Sequence, residues 1–355
     1  MNSINIDNLV RKNIKNLKPY SSARNEYTGE ASIFLDANEN AYGSPVSINS
    51  FGDNFHRYPD PLQLDFKNEL SKIKGVPSQN IFIGNGSDEV IDLVYRIFCE
   101  PGKDNVIICP PTYGMYKVCA NINNIEIREV NLTADFQLNV EEILSTADEN
   151  TKLLFICSPN NPTANSMTRI EIELLLNNFQ GIVIIDEAYI NFSKQKSFIR
   201  ELVEYENIIV MQTLSKAWGL AGLRLGLGFA SEQIINLFNK VKPPYNINIA
   251  SQVIGLNALA KIKEVNVNIK NIVEQRNWIE QQLEQFDFIQ CIYPSDANFL
   301  LVKVDDADKL YHYLSSKKII VRNRTKEPFC ENCLRITVGT PEENKMLIST
   351  LKDYQ

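Results

Sequence analysis

The sequence predicts an α/β fold, with a large and mostly parallel sheet between helices and a smaller α+β region after it. Short apolar runs of strand length recur between Val106 and Met211, bounded by turn residues and separated by helix-length segments. Strands without a polar face are typical of parallel sheets, which helices cover on both sides. The runs are 106–109, 153–157, 182–185 and 208–211.

The pattern changes after about Tyr245. Residues 249–286 carry apolar side chains at helical spacing with little glycine or proline, which predicts helices, or one long helix, that link two domains. Further apolar runs predict the strands of a smaller domain, at 291–293, 299–304, 319–321 and 334–338. The expected division is an N-terminal arm (1–30), a large domain with the start of the interdomain helix (31–265) and a small C-terminal domain (266–355).

Composition and charge favour small-molecule partners. The chain has 355 residues, with 36 Lys and Arg against 43 Asp and Glu, and a net charge of −7. This balance argues against a surface for nucleic acid or anionic membranes. No apolar run approaches the roughly 20 residues that span a bilayer, and the segment from Met1 to Tyr20 lacks the apolar core of a signal peptide. We therefore expect a cytoplasmic protein.

The seven cysteines are an odd number, and Cys109 and Cys157 end apolar runs where buried thiols are common. Cys330 and Cys333 have C-x-x-C spacing, which can indicate zinc or redox chemistry. The sequence has no second C-x-x-C pair, and its two histidines lie far along the chain from Cys330 and Cys333. We therefore predict no metal site.

Polar and aromatic residues follow each of the four strand runs. In open α/β sheets, ligands bind in the crevice outside the carboxyl ends of the strands. These four segments should therefore contribute to one site. They are 110–114, 158–163, 186–189 and 212–216.

Lys216 lies in a run of small, apolar and hydroxyl residues. Burial, or a neighbouring cation such as Arg224, favours the neutral amine, which can condense with an aldehyde. We expect this aldehyde to be pyridoxal phosphate. The alternative is an ordinary lysine whose stem covers apolar surface while its ammonium group reaches water.

The segment 84–89 opens a helical pattern with two glycines. A helix that starts at Gly86, Ser87 and Asp88 presents backbone N–H groups and a positive dipole end, which suit a phosphate group. Ser215 and Arg224 would join this phosphate site. The alternative is that Ser87 only caps the helix.

Pyridoxal phosphate also needs a carboxylate at its pyridine nitrogen, donors for its phenolic oxygen and an aromatic ring against its face. Asp186 can serve the nitrogen, Asn161 and Tyr189 the phenolic oxygen, and Tyr113 can stack on the ring. Each has an ordinary alternative as a cap, a turn or a core residue. Their joint occurrence at strand ends favours the cofactor site.

With these motifs the chain resembles the fold-type I pyridoxal phosphate aminotransferases over nearly its whole length. The matching motifs are SPNNPT (158–163), DEAY (186–189), SKA (215–217) and GLRLG (222–226). The resemblance implies three catalytic residues: Lys216 binds the cofactor covalently and transfers the substrate proton, and Asp186 and Tyr189 assist it. It also implies a homodimer, because Tyr58 in this family reaches the cofactor phosphate of the neighbouring subunit.

Within the family, the chain is similar to the histidinol-phosphate aminotransferases. The pointers are LKPY (17–20), LDANEN (35–40), RYPDP (57–61), KPPYN (242–246) and CLRITVG (333–339). This resemblance implies amino transfer between glutamate/2-oxoglutarate and imidazole acetol phosphate/histidinol phosphate, a step of histidine biosynthesis. It implies that Tyr20, Arg322 and Arg335, with Asn161, bind the substrates. Asn332 stands where many relatives have glycine.

Arginine can pair bidentately with a carboxylate or a phosphate, so Arg322 and Arg335 suit both substrates. Other activities remain open at this stage. An aminotransferase for phenylalanine or tyrosine would use the same cofactor, and a decarboxylase for a phosphorylated amino acid would use a very similar scaffold. The third alternative is a sensor domain of a transcription regulator, which would need an appended basic DNA-binding region that the sequence lacks.

Overall fold

The computed structural model describes residues 33–36, 38–43 and 58–354. The predicted N-terminal arm and Tyr20 lie outside the described residues. Strands are numbered in chain order. They are β1 (Ile33–Phe34), β2 (Ile81–Asn85), β3 (Asn105–Ile108), β4 (Glu126–Glu129), β5 (Thr151–Cys157), β6 (Ile182–Asp186), β7 (Ile208–Thr213), β8 (Leu225–Ala230), β9 (Ile289–Ile292), β10 (Phe299–Val304), β11 (Ile319–Ile320), β12 (Arg322–Asn323) and β13 (Cys333–Thr337).

Helices separate most of these strands, and several begin at side-chain caps. Thr340 and Glu343 form a reciprocal capping box, with Pro341 in the first turn of the helix that follows. The helices are α1 (Leu64–Lys74), α2 (Ser87–Phe98), α3 (Met115–Asn123), α4 (Val140–Thr146), α5 (Arg169–Asn178), α6 (Glu232–Val241), α7 (Ile249–Leu259), α8 (Ile262–Leu283), α9 (Ala307–Ser316) and α10 (Pro341–Lys352).

Among the described residues, the main sheet has seven strands in the order β2-β8-β7-β6-β5-β3-β4. Strand β8 is antiparallel to both of its neighbours, and the remaining pairs are parallel. The prediction of a largely parallel sheet is confirmed, and all four predicted runs are strands. Strands β2, β4 and β8 were not predicted.

The main sheet is buried on both faces, as its apolar runs predict. Along β6, Val183 and Ile185 pack into one hydrophobic cluster, while Ile184 packs into another on the opposite face. Helices α2, α3 and α6 cover the second face, and α1, α4, α5, α7 and α8 cover the first. The α/β architecture with helices on both sides is therefore confirmed.

The smaller sheet is antiparallel, in the order β12-β13-β10-β9, and β1 pairs in parallel with β11 beside it. The predicted runs at 291–293, 299–304 and 334–338 correspond to β9, β10 and β13, and the run at 319–321 corresponds to β11. Strand β12 was not predicted. Segment 249–286 was predicted to form helices or one long helix, and it contains two helices, α7 and α8. Because β1 pairs with β11, segment 33–36 packs with the C-terminal part. The domain boundaries at 30/31 and 265/266 remain a prediction.

The carboxyl ends of β5, β6 and β7 lie side by side at one edge of the main sheet, since the three strands are neighbours and parallel. This arrangement brings the segments after the strands together. In the part of the chain that the structure describes, no helix is long and apolar enough to cross a membrane.

Candidate active site

A cleft opens at this edge of the main sheet and is closed on one side by β12 and β13 of the smaller sheet. The segments after β5, β6 and β7 line it together with the start of α2. Its lining residues are Asp36, Asn38, Glu39, Ser87, Asp88, Tyr113, Cys157, Asn161, Asp186, Ala188, Tyr189, Thr213, Ser215, Lys216, Ala221, Arg224, Arg322, Arg324 and Arg335.

Lys216 follows β7 and faces this cleft. Burial and the positive charge of Arg335 lower the pKa of its ammonium group to about 8, against the opposing effect of Glu39. Its Nζ lies 5.8 Å from the centre of the Tyr189 ring. An appreciable fraction of the amine is therefore neutral in mildly alkaline solution, where it can act as a nucleophile or a base.

Asp186 ends β6 and is buried. Its Oδ2 accepts a hydrogen bond from the Tyr116 hydroxyl at 2.6 Å, and its Oδ1 accepts one from the backbone N–H of Ala188 at 3.0 Å. Burial raises the pKa of the carboxyl to about 6, although both hydrogen bonds oppose this rise. Neither donor is a cation, so this carboxylate suits a positively charged ligand group.

Tyr189 is tied to the smaller sheet through Asn38. The Asn38 Nδ2 donates to the Tyr189 hydroxyl at 3.0 Å, and the Thr337 hydroxyl donates to the Asn38 Oδ1 at 2.9 Å. Asn38 has φ 54, a left-handed conformation that asparagine tolerates well. Burial raises the pKa of Tyr189, so its hydroxyl stays protonated and can donate into the cleft.

Arg335 on β13 orients Asn161. Its Nη1 donates to Asn161 Oδ1 at 2.6 Å, and its Nη2 donates to the backbone carbonyl of Asp36. The guanidinium carbon lies 5.4 Å from the centre of the Phe299 ring. Because the amide oxygen of Asn161 points to the arginine, its NH₂ group can donate to a ligand.

The start of α2 forms one end of the cleft. Gly86, its N-cap residue, has φ 77 and no side chain that could cap the helix. Strand β8 passes so close that a Cβ on Gly226 would overlap the Gly86 carbonyl carbon and the Ser87 amide nitrogen. The Glu89 amide bonds the Gly86 carbonyl at 3.3 Å. The amides of Ser87 and Asp88 precede it at the positive end of the helix dipole, where an anion can bind.

Arg224 lies beside this helix start. Its backbone carbonyl accepts from the Gly86 amide at 2.8 Å. Its Nη2 contacts Asp88 Oδ2 at 3.1 Å, and the Tyr113 hydroxyl donates to Asp88 Oδ1 at 3.2 Å. Asp88 thus holds Arg224 and Tyr113 in place. Ser215, also at this end, donates its backbone N–H to Thr213 Oγ1 at 3.0 Å.

The opposite side of the cleft is cationic. Arg322 and Arg335 are directly paired across β12 and β13, which places their side chains on the same face of the smaller sheet. Arg324 also lines the cleft, with its Nη1 3.6 Å from Glu327 Oε1. Like charges opposite each other repel, so an anion between these arginines would stabilise the arrangement.

These groups fit the expected pyridoxal phosphate. A buried carboxylate with only neutral donors suits a protonated pyridine nitrogen, and an uncapped helix start with an adjacent arginine suits a phosphate. The amine of Lys216 lies in the same cleft. Asp186, the α2 start with Arg224, and Lys216 would therefore hold the ring nitrogen, the phosphate and the aldehyde carbon.

Most of the predicted site residues line this one cleft, and their individual roles remain predictions. Gly86 adjoins it at the start of α2. Tyr58 is different, because its side chain is 80% exposed and its ring stacks on Tyr245, with 4.5 Å between the ring centres. The predicted residues that line the cleft are Ser87, Asp88, Tyr113, Asn161, Asp186, Tyr189, Ser215, Lys216, Arg224, Arg322 and Arg335.

Sequence reasoning missed three groups that shape the site. Asn38 belongs to the LDANEN motif, but the motif did not indicate a specific role for it. The sequence pattern around Tyr116 predicts only a helix residue that packs in the core. Glu39 lines the cleft beside Lys216. The motif around Asn38 and Glu39 was the only signal for them, and nothing in the sequence singles out Tyr116.

The fold and the site define a pyridoxal phosphate-dependent enzyme of fold type I. Residues 23–351 match the family "Aminotransferase class I and II", and the chain belongs to this family. It is 53% identical to histidinol-phosphate aminotransferase of Bacteroides thetaiotaomicron over 351 residues, and 51% identical to that of Flavobacterium johnsoniae over 356 residues; each alignment covers 99% of both chains.

A solved structure supports the fold independently. The crystal structure of histidinol-phosphate aminotransferase from Sinorhizobium meliloti in complex with pyridoxal-5'-phosphate has a TM-score of 0.88 to this chain, with 21% identity, over 97% of this chain and 96% of that one. This likeness confirms the predicted fold type, and the family match confirms the predicted enzyme class and cofactor.

We predict that Asp186→Asn changes the pH dependence of stability in the cofactor-free protein. The pKa of Asp186 rises on folding from 3.8 to about 6, so its ionisation lowers stability as the pH rises through that window. The variant lacks this loss and should gain about 1–3 kcal/mol relative to wild type between pH 4 and pH 8.

Urea unfolding at several pH values measures this difference. Glu187 also has a pKa raised by burial to about 6, but it is present in both proteins, so the difference between them isolates Asp186. Parallel stability curves for the two proteins would contradict the prediction.

Proposed function

We propose that this chain is a histidinol-phosphate aminotransferase. It would transfer an amino group between glutamate/2-oxoglutarate and imidazole acetol phosphate/histidinol phosphate in histidine biosynthesis. The observation that carries this proposal is the pairing of Arg322 and Arg335 across the cleft from Lys216 and Asp186, which combines a dianion site with a cofactor site. Relatives that are 51–53% identical over 99% of their length bear this enzyme's name.

The bound cofactor withdraws electrons from the α-carbon of the amine substrate and carries its amino group between two half-reactions. Asp186 would keep the ring nitrogen protonated, while Tyr189 and Asn161 would donate to the phenolic oxygen. Tyr113 would pack on the ring, where its hydrogen bond to Asp88 fixes its orientation.

Lys216 would move the substrate proton. Its lowered pKa, about 8, leaves a neutral amine accessible at physiological pH, and general bases work best when their pKa lies near the working pH. Its Nζ lies 5.8 Å from the ring centre of Tyr189, the proposed donor to the phenolic oxygen, which supports this role.

The paired arginines would hold the substrate's anionic end. A guanidinium group can pair bidentately with a carboxylate or a phosphate, so glutamate and histidinol phosphate could use the same residues in turn. Two arginines match the charge of a phosphate dianion better than that of the single carboxylate of phenylalanine. This charge match favours histidinol phosphate over an aromatic amino acid. Tyr20, outside the described residues, remains a proposed contributor.

We propose that the working unit is a homodimer in which Tyr58 reaches the cofactor phosphate of the partner subunit. Tyr58 and Tyr245 form an exposed stacked pair, and Leu62 and Leu64 nearby in the chain are also exposed. Such neighbouring exposed apolar side chains are typical of a protein interface. We also propose a cytoplasmic location, as for other enzymes of amino-acid synthesis; cell fractionation would test it.

Lys216→Ala should lower transamination of imidazole acetol phosphate by glutamate by on the order of 10³-fold, because the variant has no amine to accept the proton. Lys216→Arg should be equally inactive, since a guanidinium group keeps its proton. Lys67→Ala is the matched control, because burial also lowers the pKa of Lys67 to about 8 but Lys67 does not line the cleft. Full turnover in Lys216→Ala would refute the proposed chemistry.

Arg322→Ala should lower kcat/KM for histidinol phosphate by about 10–100-fold, and for phenylalanine by less, because the lost ion pair matters more for a dianion. Arg322→Lys, which keeps the charge without the planar fork, should lie between. Steady-state rates with 2-oxoglutarate measure both substrates. A wild-type preference for phenylalanine would refute the substrate assignment, and release of carbon dioxide without consumption of 2-oxoglutarate would favour a decarboxylase.

Mixed dimers test the shared site. Tyr58→Phe homodimers should bind cofactor about tenfold more weakly, since one charge-assisted hydrogen bond is lost, and Lys216→Ala homodimers should be inactive. A dimer with one subunit of each kind contains one complete site, with Lys216 from one chain and Tyr58 from the other. It should recover about half of the wild-type activity per dimer at limiting cofactor. A monomer in light scattering, or no recovery, would contradict the proposal.

A further inference from the structure

Tyr116 connects the two groups that would enclose the cofactor ring. It lies in α3 and is fully buried. Its hydroxyl donates to Asp186 Oδ2 at 2.6 Å, and its ring meets the Tyr113 ring edge-on, with 5.6 Å between the centres and an interplanar angle of 86°. One side chain therefore contacts both the carboxylate for the ring nitrogen and the aromatic ring for the ring face.

The surroundings of Tyr116 keep it in this position. Its ring stacks on Phe155 at 4.7 Å between centres, and its backbone carbonyl accepts from the Tyr95 hydroxyl at 2.9 Å. Burial and the nearby Asp186 raise the pKa of Tyr116 well above its usual range, so the hydroxyl remains a donor. Tyr95 is equally buried, but its hydroxyl donates to a backbone carbonyl instead of a carboxylate.

Few groups stabilise the negative charge of Asp186. Among the described residues, its hydrogen-bond donors are Tyr116 and the backbone N–H of Ala188, and Lys216 after β7 contributes favourable charge. The negative charge of Asp88 on α2 disfavours the ionised form of Asp186. The thiol of Cys157 on β5 and the hydroxyl of Tyr189 also face the carboxylate, and both stay protonated because burial raises their pKa values. Tyr116 is thus the main side-chain hydrogen-bond donor to this anion.

We propose that Tyr116 is a positioning residue that sets the proton affinity of Asp186 and thereby keeps the proton on the cofactor's ring nitrogen. A carboxylate that accepts a hydrogen bond is a weaker base than one without it. Without the hydroxyl, Asp186 would compete more strongly for the shared proton, and the ring would withdraw electrons less well. The inference rests on the role proposed for Asp186.

Tyr116→Phe removes this hydroxyl with little change in shape. Tyr313→Phe is the control, because the Tyr313 hydroxyl donates to a backbone carbonyl, that of Thr350 at 3.0 Å, between helices α9 and α10. In the cofactor-free protein, the stability loss caused by Asp186 ionisation should extend about 1 pH unit higher in Tyr116→Phe than in wild type. The sign follows because a higher folded-state pKa prolongs the loss as the pH rises. Tyr313→Phe should shift the whole curve without moving this window.

Asp186→Asn removes the titrating carboxyl group. Tyr116→Phe should therefore cause no extension of the stability loss when it is made in the Asp186→Asn variant. If Tyr116→Phe alone fails to fold, Asp186→Asn/Tyr116→Phe should fold, because the buried charge that needs the hydroxyl is gone. An unchanged window in Tyr116→Phe, an extension that persists in the Asn background, or failure of the double variant to fold would each overturn the proposal.

The loaded enzyme gives a second readout. In Tyr116→Phe, kcat should fall by about tenfold with KM nearly unchanged, which corresponds to a one-unit change in proton affinity. The ¹⁵N chemical shift of the labelled ring nitrogen should move toward that of neutral pyridine. A neutral-like shift in wild type would refute the role of Asp186 itself, whereas a protonated shift that is unchanged in Tyr116→Phe would refute only the role of Tyr116.

Discussion

The carboxylate of Asp186 is buried at the end of β6 without a cationic partner among its hydrogen-bond donors, and much of the site is arranged around it. Strand β6 is the central member of three parallel neighbours, so its end lies between the segments that carry Asn161 and Lys216. Burial makes the charge costly, as its raised pKa shows. A protonated ring nitrogen would compensate that cost, so the apoprotein contains a site whose stability improves when the cofactor binds.

The smaller sheet is coupled to this charge through polar contacts. Thr337 on β13 bonds Asn38, and Asn38 bonds Tyr189, which follows Asp186 by three residues. The buried Asn298 donates to the Asn38 carbonyl at 3.0 Å. Strand β13 also carries Arg335, which donates a hydrogen bond to Asn161. Any displacement of β13 would therefore move the proposed cofactor donors Tyr189 and Asn161 together with Arg335, the proposed cation for the substrate.

The sequence predicted β3, β5, β6 and β7, because no glycine or polar residue interrupts their apolar runs. It missed β2, although β2 is also buried, because only three apolar residues precede Gly84. It also missed β8, where glycines at 226 and 228 interrupt the apolar run, and β4, an edge strand with charged ends. The residues after parallel strands could be predicted from the rule on carboxyl ends. Contacts such as Asn38 with Tyr189, 151 residues apart, have no local pattern, and Arg322 and Arg335 were assigned by family resemblance alone.

The cleft's charges also couple substrate binding to proton transfer. Arg335 lowers the pKa of Lys216 by repulsion, and this repulsion weakens when an anion neutralises the arginine. A substrate anion between Arg322 and Arg335 would therefore raise the proton affinity of the Lys216 amine while the substrate is bound. If the proposed roles hold, the Lys216 amine would become a stronger base when the substrate carbon is present to give up its proton.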